Sequence, residues 1–392
     1  MRRTEVLQEC RKMRFEQVYT GWKTKELTQE QAARILGISD RTFRRLIPRY
    51  QEEGIAGLLD KRLNQASHRR APLDEVLSVC ELYKERYSDF NVKHFYKWYI
   101  RHHEGQRSYT WVKNTLQSKG LVRKVRKRGQ HRKRRARAPY SGMMLHQDGS
   151  THEWVPGKKW DLIVTMDDAT NEHYSMFFVN EEGTFSSFRG VRDVIESKGV
   201  FSSLYTDRGS HYWYTPEAGG KVDKTNPTQF GKALQRLGIE MIAAYSPEAR
   251  GRSERAFGTH QDRLVKELAL SGITEMEAAN RYLTDEYLPA FNEEFSSPPP
   301  SGKSVFVPWC GSDLDDILCE QHERVVNNDN CISYKALILQ IPEDGYRYHY
   351  VKTKVRVLRH IDGTLSLFHG PRKLASYDAE GMFLMEPQKK VA

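Results

Sequence analysis

Asp148, Asp207 and Glu254 stand in three separate motifs, Leu145-His-Gln-Asp-Gly-Ser, Tyr205-Thr-Asp-Arg-Gly-Ser and Ser246-Pro-Glu-Ala-Arg-Gly-Arg-Ser-Glu-Arg. Each acid follows a strand-like stretch or opens a helix-like one. Carboxylates gathered from separate elements repel one another and resist burial, so collecting them makes physical sense when divalent cations sit between them. Two such cations about 3.5–4 Å apart drive in-line attack on a phosphodiester. The pattern therefore implies a metal-dependent enzyme acting on polynucleotide. Glu153, Asp167, Asp168 and Glu248 lie close to the same motifs, and spacing alone does not exclude them. Asp167-Asp168 falls where a hairpin should turn, a place that favours Asp for backbone reasons. Glu248 follows Pro247 in a loop, with no helix to fix its direction.

The elements expected to position these acids begin at Met143. Strands are expected at 143–148, 160–166 and 174–179, then a helix near 184–198 and a strand ending at Thr206. A helix near 227–237, a strand at 240–244 and a helix from about 252 complete the series. This order, three strands followed by alternating helices and strands, is the ribonuclease H arrangement: an α/β core on a mixed five-stranded sheet. It sets the first strand beside the fourth, and with them Asp148 beside Asp207. On the last helix a wheel places Phe257, Leu264 and Leu268 on one face and Arg252, Arg255, Arg263 and Lys266 on the other. Glu254 falls at the margin of the apolar face, which favours a ligand over a solvated glutamate, while the basic side is expected to meet the phosphate chain.

Charge points to the substrate class by its distribution. Lys and Arg number 62 against 51 Asp and Glu, a net charge of +11. Ten basic groups and no acid lie between Arg123 and Arg137: Arg123, Lys124, Arg126, Lys127, Arg128, Arg132, Lys133, Arg134, Arg135 and Arg137. A charge so concentrated is a local counter-charge for a polyanion, and its contribution to binding should depend strongly on salt. The run has no apolar period and reads as a linker. Double-stranded DNA is the expected partner. The five cysteines are scattered, without metal-site spacing, and imply reduced thiols. No apolar run approaches the roughly 20 residues that cross a bilayer, so a soluble protein of the bacterial cytoplasm, nucleoid-associated when bound to DNA, is expected.

Upstream, residues 28–51 read as two short helices around a glycine turn, similar to a helix-turn-helix. Ala33 lets the helices approach, Gly37 takes the turn, Ser39 caps the second helix, and Phe43 and Leu46 face inward. Arg41, Arg44 and Arg45 then decorate the recognition helix, where base edges and phosphates would be met. A plain helical bundle with a solvated basic face is the alternative. Tyr109 to Gly120 looks like a second recognition helix, while Phe90, Phe95, Tyr96, Trp98 and Tyr99 read as core. Beyond Ser296-Ser-Pro-Pro-Pro-Ser-Gly, a stiff boundary, residues 331–385 alternate apolar and polar, with a hairpin signal at Asp362-Gly363. They suggest a small all-β domain carrying Arg347, Lys352, Lys354, Arg356 and Arg359. The expected domains are thus 1–70 and 71–121, both helical and DNA-binding, a basic linker at 122–141, the catalytic core at 142–296, and a small β-barrel domain at 302–392.

The motifs resemble those of bacterial insertion-sequence transposases of the DDE type, related to retroviral integrases. The likeness covers about 28–296 and is strongest over 146–265. Tyr-Ser-Pro-x-x-x-Gly-x-x-Glu-Arg at 245–255 is its most specific part and assigns the family glutamate to Glu254 rather than Glu248. The N-terminal helix-turn-helix agrees with the group filed as ISNCY. The resemblance implies that Asp148 bridges two Mg²⁺ ions, with Mn²⁺ able to substitute, and that Asp207 and Glu254 each complete one site. It also implies binding to terminal inverted repeats, 3′-end cleavage, strand transfer into target DNA, and a homo-oligomer that holds two ends. A nuclease of the same fold that cuts without joining, or a non-catalytic DNA-binding regulator, are the rival expectations. Two departures stand out. The 46 residues between Asp207 and Glu254 exceed the integrase spacing, with an insertion near Tyr212 to Asn226, and the zinc-binding module of integrases is missing.

Overall fold

The computed structural model describes residues 3–59, 70–124, 136–217, 220–245, 251–311 and 314–384, with side chains from Lys12 onward. Contacts divide the chain into one unit ending at Glu85 and a second from Arg86. The first unit is helical: α1 (Arg3–Lys23), α2 (Gln29–Leu36), α3 (Asp40–Glu53) and most of α4 (Leu73–Arg86). Thr28 closes a capping box with Gln31 at the start of α2, and Ser39 accepts from the Thr42 amide at the start of α3. Between them Gly37 takes a left-handed φ of 67°, the conformation that needs no Cβ. Ala32, Ala33, Phe43 and Ile47 close on Phe15, Val18 and Tyr19 of α1. The helix-turn-helix is therefore present, held by a third helix.

In the second unit, α5 (Val92–His102) and α6 (Tyr109–Ser118) bury Phe95, Tyr99, Val112 and Leu116. Then β1 (Leu145–Val155), β2 (Lys158–Asp167) and β3 (His173–Val179) form an antiparallel meander. After α7 (Thr184–Ser197), β4 (Ser203–Thr206) returns parallel to β1. After α8 (Gln229–Arg236), β5 (Glu240–Ala243) lies parallel to β4. The order β3-β2-β1-β4-β5 is the expected ribonuclease H topology. One side of the sheet is closed by α7 and α8, whose Phe188, Val191, Phe230 and Leu234 share a cluster with Leu145 and Leu204. Another cluster joins Trp154, Leu162, Val164 and Phe178 to Phe257, Leu264 and Leu268 of α9 (Ser253–Leu270). Helix α10 (Met276–Tyr282) runs through a π turn at Leu283–Tyr287 into α11 (Leu288–Phe295).

The expected stiff boundary after Ser296 is not a free spacer. Ser297, Ser301, Val305 and Val307 donate backbone hydrogen bonds to Thr170, Pro139, Ser141 and Val200, so the chain runs back along the core. Leu314, Ile317 and Leu318 then enter the same cluster as α7 and α8. The C-terminal region is an antiparallel sheet of β12 (Phe383–Leu384), β11 (Arg372–Tyr377), β10 (Leu365–His369), β9 (Lys354–Arg359) and β6 (Glu320–Val325). A hairpin of β7 (Cys331–Tyr334) and β8 (Leu337–Gln340) accompanies it. Ile332, Tyr334 and Leu339 of the hairpin share one core with Val355, Val357, Leu365 and Leu367 of the sheet, so the region is the small all-β unit, barrel or sheet, that was expected.

Candidate active site

Strand register brings the two aspartates together. Leu145 pairs with Leu204 and His146 with Tyr205 in the parallel β1–β4 ladder. Carried two residues further, the same register sets Asp148 beside Asp207, on strands separated by about 4.8 Å. Asp148 lies within β1, opposite Val164 of β2, and is 8% exposed. Asp207 is the first residue past β4, and its Oδ1 accepts from the Gly209 amide at 2.8 Å. Two carboxylates from neighbouring strands offer hard oxygen donors, which fits Mg²⁺ or Mn²⁺ rather than a thiolate-seeking metal.

Glu254 stands in the first turn of α9 and is exposed. The wheel had put it at the margin of the apolar face; in the structure the inward positions of that turn are Ser253, Ala256 and Phe257. Residues 246–250, including Glu248 and half of the most specific motif, lie outside the described residues. Among the described residues, no group of three or more His, Cys, Asp or Glu closes round a metal-sized point. The ladder register points Asp148 and Asp207 to neighbouring positions, and both charges act on Tyr212, while no described group of three acids includes Glu254.

A fourth acid, absent from the sequence reading, lies at this place. Glu182, in the loop between β3 and α7, sets its carboxylate over Gly149: a Cβ there would come within 2.2 Å of Glu182 Oε2. The Tyr212 hydroxyl donates to Gln147 Oε1 at 3.1 Å and sits 3.4 Å from Glu182 Oε1. Burial pushes the Tyr212 phenol well up, and the charges of Glu182, Asp148 and Asp207 add to the rise. Glycine directly after Asp148 was the one available signal, because a strand glycine often marks close approach of another group.

The remaining expected residues separate into inner and outer sets. Asp168 is buried, and its carboxylate meets His146 Nε2 at 2.8 Å, Arg252 Nη1 at 2.7 Å and the Ala138 amide at 2.7 Å. Burial opposes its ionisation. The hydrogen bonds from His146 and Ala138, with the charges of His146 and Arg252, outweigh that and bring the carboxyl down to about 2. Arg252 is thus a counter-charge for a buried acid, and it also donates to the Ala136 carbonyl at 3.1 Å. Arg263 is 7% exposed and holds Glu294 through contacts of 2.8 and 3.2 Å. Lys266 pairs with Asp262 at 2.6 Å. Only Arg255 of the four keeps the open position expected of a DNA-facing side. The basic face expected on α9 is corrected for a plain reason: α5 and α11 cover that side. His94 meets Glu267 at 2.6 Å, Lys93 meets Glu294 at 3.0 Å, and Asn91 hydrogen-bonds Asp262.

Arg41, Arg44 and Arg45 are exposed on α3, and Arg123 and Lys124 are exposed beyond α6. Arg126, Lys127, Arg128, Arg132, Lys133, Arg134 and Arg135 lie outside the described residues. The long interval between Asp207 and Glu254 is partly core: Tyr212, Trp213 and Val222 are buried in the α7–α8 cluster, and Trp213 Nε1 donates to Thr206 Oγ1 at 2.9 Å. In the C-terminal sheet Arg356 donates to the Gly370 carbonyl at 2.8 Å, and Arg359 lies over the Phe185 ring, while Arg347 and Lys352 are exposed.

Residues 17–75 match the family described as winged helix-turn helix. Over 349 residues, 87% of this chain and 75% of the relative, the sequence is 29% identical to a Sinorhizobium fredii protein provisionally named transposase y4bF. Over 264 residues it is 28% identical to the transposase for insertion sequence IS1202 of Streptococcus pneumoniae, a match spanning 65% of this chain and 56% of that protein. The chain is thus similar to insertion-sequence transposases over most of its length. Among solved structures, the chain aligns with a chain of a simian T-cell lymphotropic virus intasome at 16% identity and a TM-score of 0.34, over 66% of this chain and 84% of that one. It aligns with an HTLV-2 integrase catalytic core domain in complex with magnesium at 15% identity and a TM-score of 0.28, over 36% and 83%. The ribonuclease H order of the central sheet is seen in the chain's own strands, β3-β2-β1-β4-β5. Among its described residues no helix is long and apolar enough to cross a membrane.

Proposed function

We propose that the chain is a DDE transposase that binds the terminal inverted repeats of its element, cuts at their 3′ ends and joins those ends to target DNA. The observation that carries the reading is the parallel β1–β4 register, which continues to Asp148 and Asp207 in a sheet of ribonuclease H order. The two aspartates would hold the divalent cations, and Glu254, from the first turn of α9, would approach when DNA and cation are bound. Bound there, two Mg²⁺ ions would supply activation of water or a 3′-hydroxyl and stabilise the leaving oxygen. The chain's own contribution is to fix that pair on two hydrogen-bonded strands. Arg41, Arg44 and Arg45 on α3 would read the ends, and the basic run from Arg123 would follow the phosphates. Two ends must be held at once, so the working species is a homo-oligomer on DNA in the bacterial cytoplasm.

The test incubates the purified full chain and an Asp148→Asn variant with Mg²⁺ or Mn²⁺ and labelled element ends. The parent is expected to release 3′ ends and form joined products, and the variant to lose about a hundred- to a thousandfold in rate, the scale of removing a group essential to charge stabilisation. Cutting without joining would leave a nuclease. Joining by Asp148→Asn would sink the site assignment.

A further inference from the structure

We infer that Glu182 is a positioning residue that ties the segment carrying Asp148 to the loop carrying Asp207 and tunes their affinity for a divalent cation. The inference rests on the metal-dependent reading above and extends it to a residue outside the three-acid motif. On the Asp148 side, the residues before and after the aspartate are both anchored. Gln147 donates through Nε2 to Thr165 Oγ1 and to the Ser187 carbonyl, each at 3.1 Å, and accepts from Tyr212. Gly149 lies directly beneath the Glu182 carboxylate, in space that any side chain at 149 would claim. On the Asp207 side, His211 Nε2 lies 3.4 Å from Glu182 Oε1. The loop between is tight: a Cβ on Gly209 would come within 2.9 Å of His211 Cε1 and 3.0 Å of Asp207 Oδ1. A continuous set of contacts therefore runs from Gly149 through Glu182 and His211 to Gly209 and Asp207. The Glu182 amide itself is held by Asp161 Oδ2 at 2.7 Å, which fixes the acid's own backbone.

The charge of Glu182 gives this clamp a consequence that shape alone would not. All three carboxylates act on the one Tyr212 phenol. A third negative charge beside Asp148 and Asp207 adds repulsion in the metal-free protein and adds attraction for a cation once one binds. Removing that charge while keeping the shape should leave the metal-free fold as stable or slightly more stable, and should weaken metal binding. A purely structural side chain would not separate the two readings in this way.

The experiment titrates Mn²⁺ alone into the full chain, following free Mn²⁺ by electron paramagnetic resonance, with thermal melts taken in chelator. Glu182→Gln is expected to bind Mn²⁺ about tenfold more weakly, the lower end of what outer partners of metal ligands contribute, with an undiminished metal-free melting temperature. Glu182→Asp, which keeps the charge, should recover part of that loss. Gly149→Ala displaces only the mobile end of a side chain, so the fold should survive it, and it should weaken Mn²⁺ binding in the parent but not further in Glu182→Gln. Parental Mn²⁺ affinity in Glu182→Gln, with binding lost in Asp148→Asn, would overturn the role of Glu182 and leave the proposed function standing. Parental affinity in both variants would overturn both.

Discussion

Helices α3 and α9 carry the same kind of sequence, apolar residues at helical spacing with arginines between them, and use those arginines in opposite ways. On α3 Phe43 and Ile47 close on α1 and α2, and Arg41, Arg44 and Arg45 remain exposed. On α9 the apolar side faces the sheet, and the opposite side, with Arg263, meets α5 and α11. A helical wheel shows which residues share a face. It contains nothing about how many faces the fold will cover, so a basic stripe is a nucleic-acid surface in one helix and a set of internal counter-charges in the other.

The largest expected effect would break this contrast outright. Arg263→Ala leaves the buried Glu294 carboxylate with only the half-exposed Lys93, and should cost about 3 kcal/mol, the lower range for breaking a buried ion pair. Urea unfolding of the full chain measures it. A loss of less than about 0.5 kcal/mol, as at ordinary surface positions, would return Arg263 to solvent and make α9 resemble α3.

A smaller effect concerns Arg252 and its acid. Asp168 has a folded-state value near 2, below the ordinary 3.8, so its contribution is present above the unfolded value and is lost as pH falls through the folded one. That contribution amounts to about 2 kcal/mol at neutral pH. The stability gap between the parent and Asp168→Asn should therefore be full at pH 6 and close as pH drops from about 4 to 2. A gap independent of pH would mean that Asp168 is not held ionised by His146 and Arg252.

The least effect on stability is expected on α3. Arg44→Ala should change the free energy of unfolding measured in urea by no more than about 0.5 kcal/mol. Binding to element ends should weaken, and the slope of log affinity against log salt should fall by about one if Arg44 meets a phosphate. A stability loss of about 3 kcal/mol with unchanged DNA affinity and salt slope would reverse the comparison.

Elements with strong local signals were legible in the sequence. Gly37 with Ser39 located the turn before α3, and short apolar runs located all five strands of the central sheet, so the β1–β4 neighbourhood of Asp148 and Asp207 followed from element order alone. Four things were not legible, each because a distant segment decides it. Arg263 faces inward because α5 lies there, and nothing near Arg263 in sequence says so. Asp167 and Asp168 were read as turn formers. Asp167 does accept from the Ala169 amide at 3.0 Å, but Asp168 is the centre of a buried network joining His146, Arg252 and Ala138. Glu182 reached the site by loop geometry, which side-chain periodicity does not encode. Ser296 to Gly302 has the composition of a spacer, yet its backbone groups find partners on the core.

That returning strip sets an order of events during synthesis. Leu314, Ile317 and Leu318 complete the cluster beneath α7 and α8, so the domain that begins near Tyr140 cannot finish its interior when the ribosome reaches Phe295. A nascent chain halted there would present an apolar groove where those residues belong, and a fragment cut at 296 for expression would carry the same open seam. The practical boundary of the domain built on the central sheet lies past Leu318.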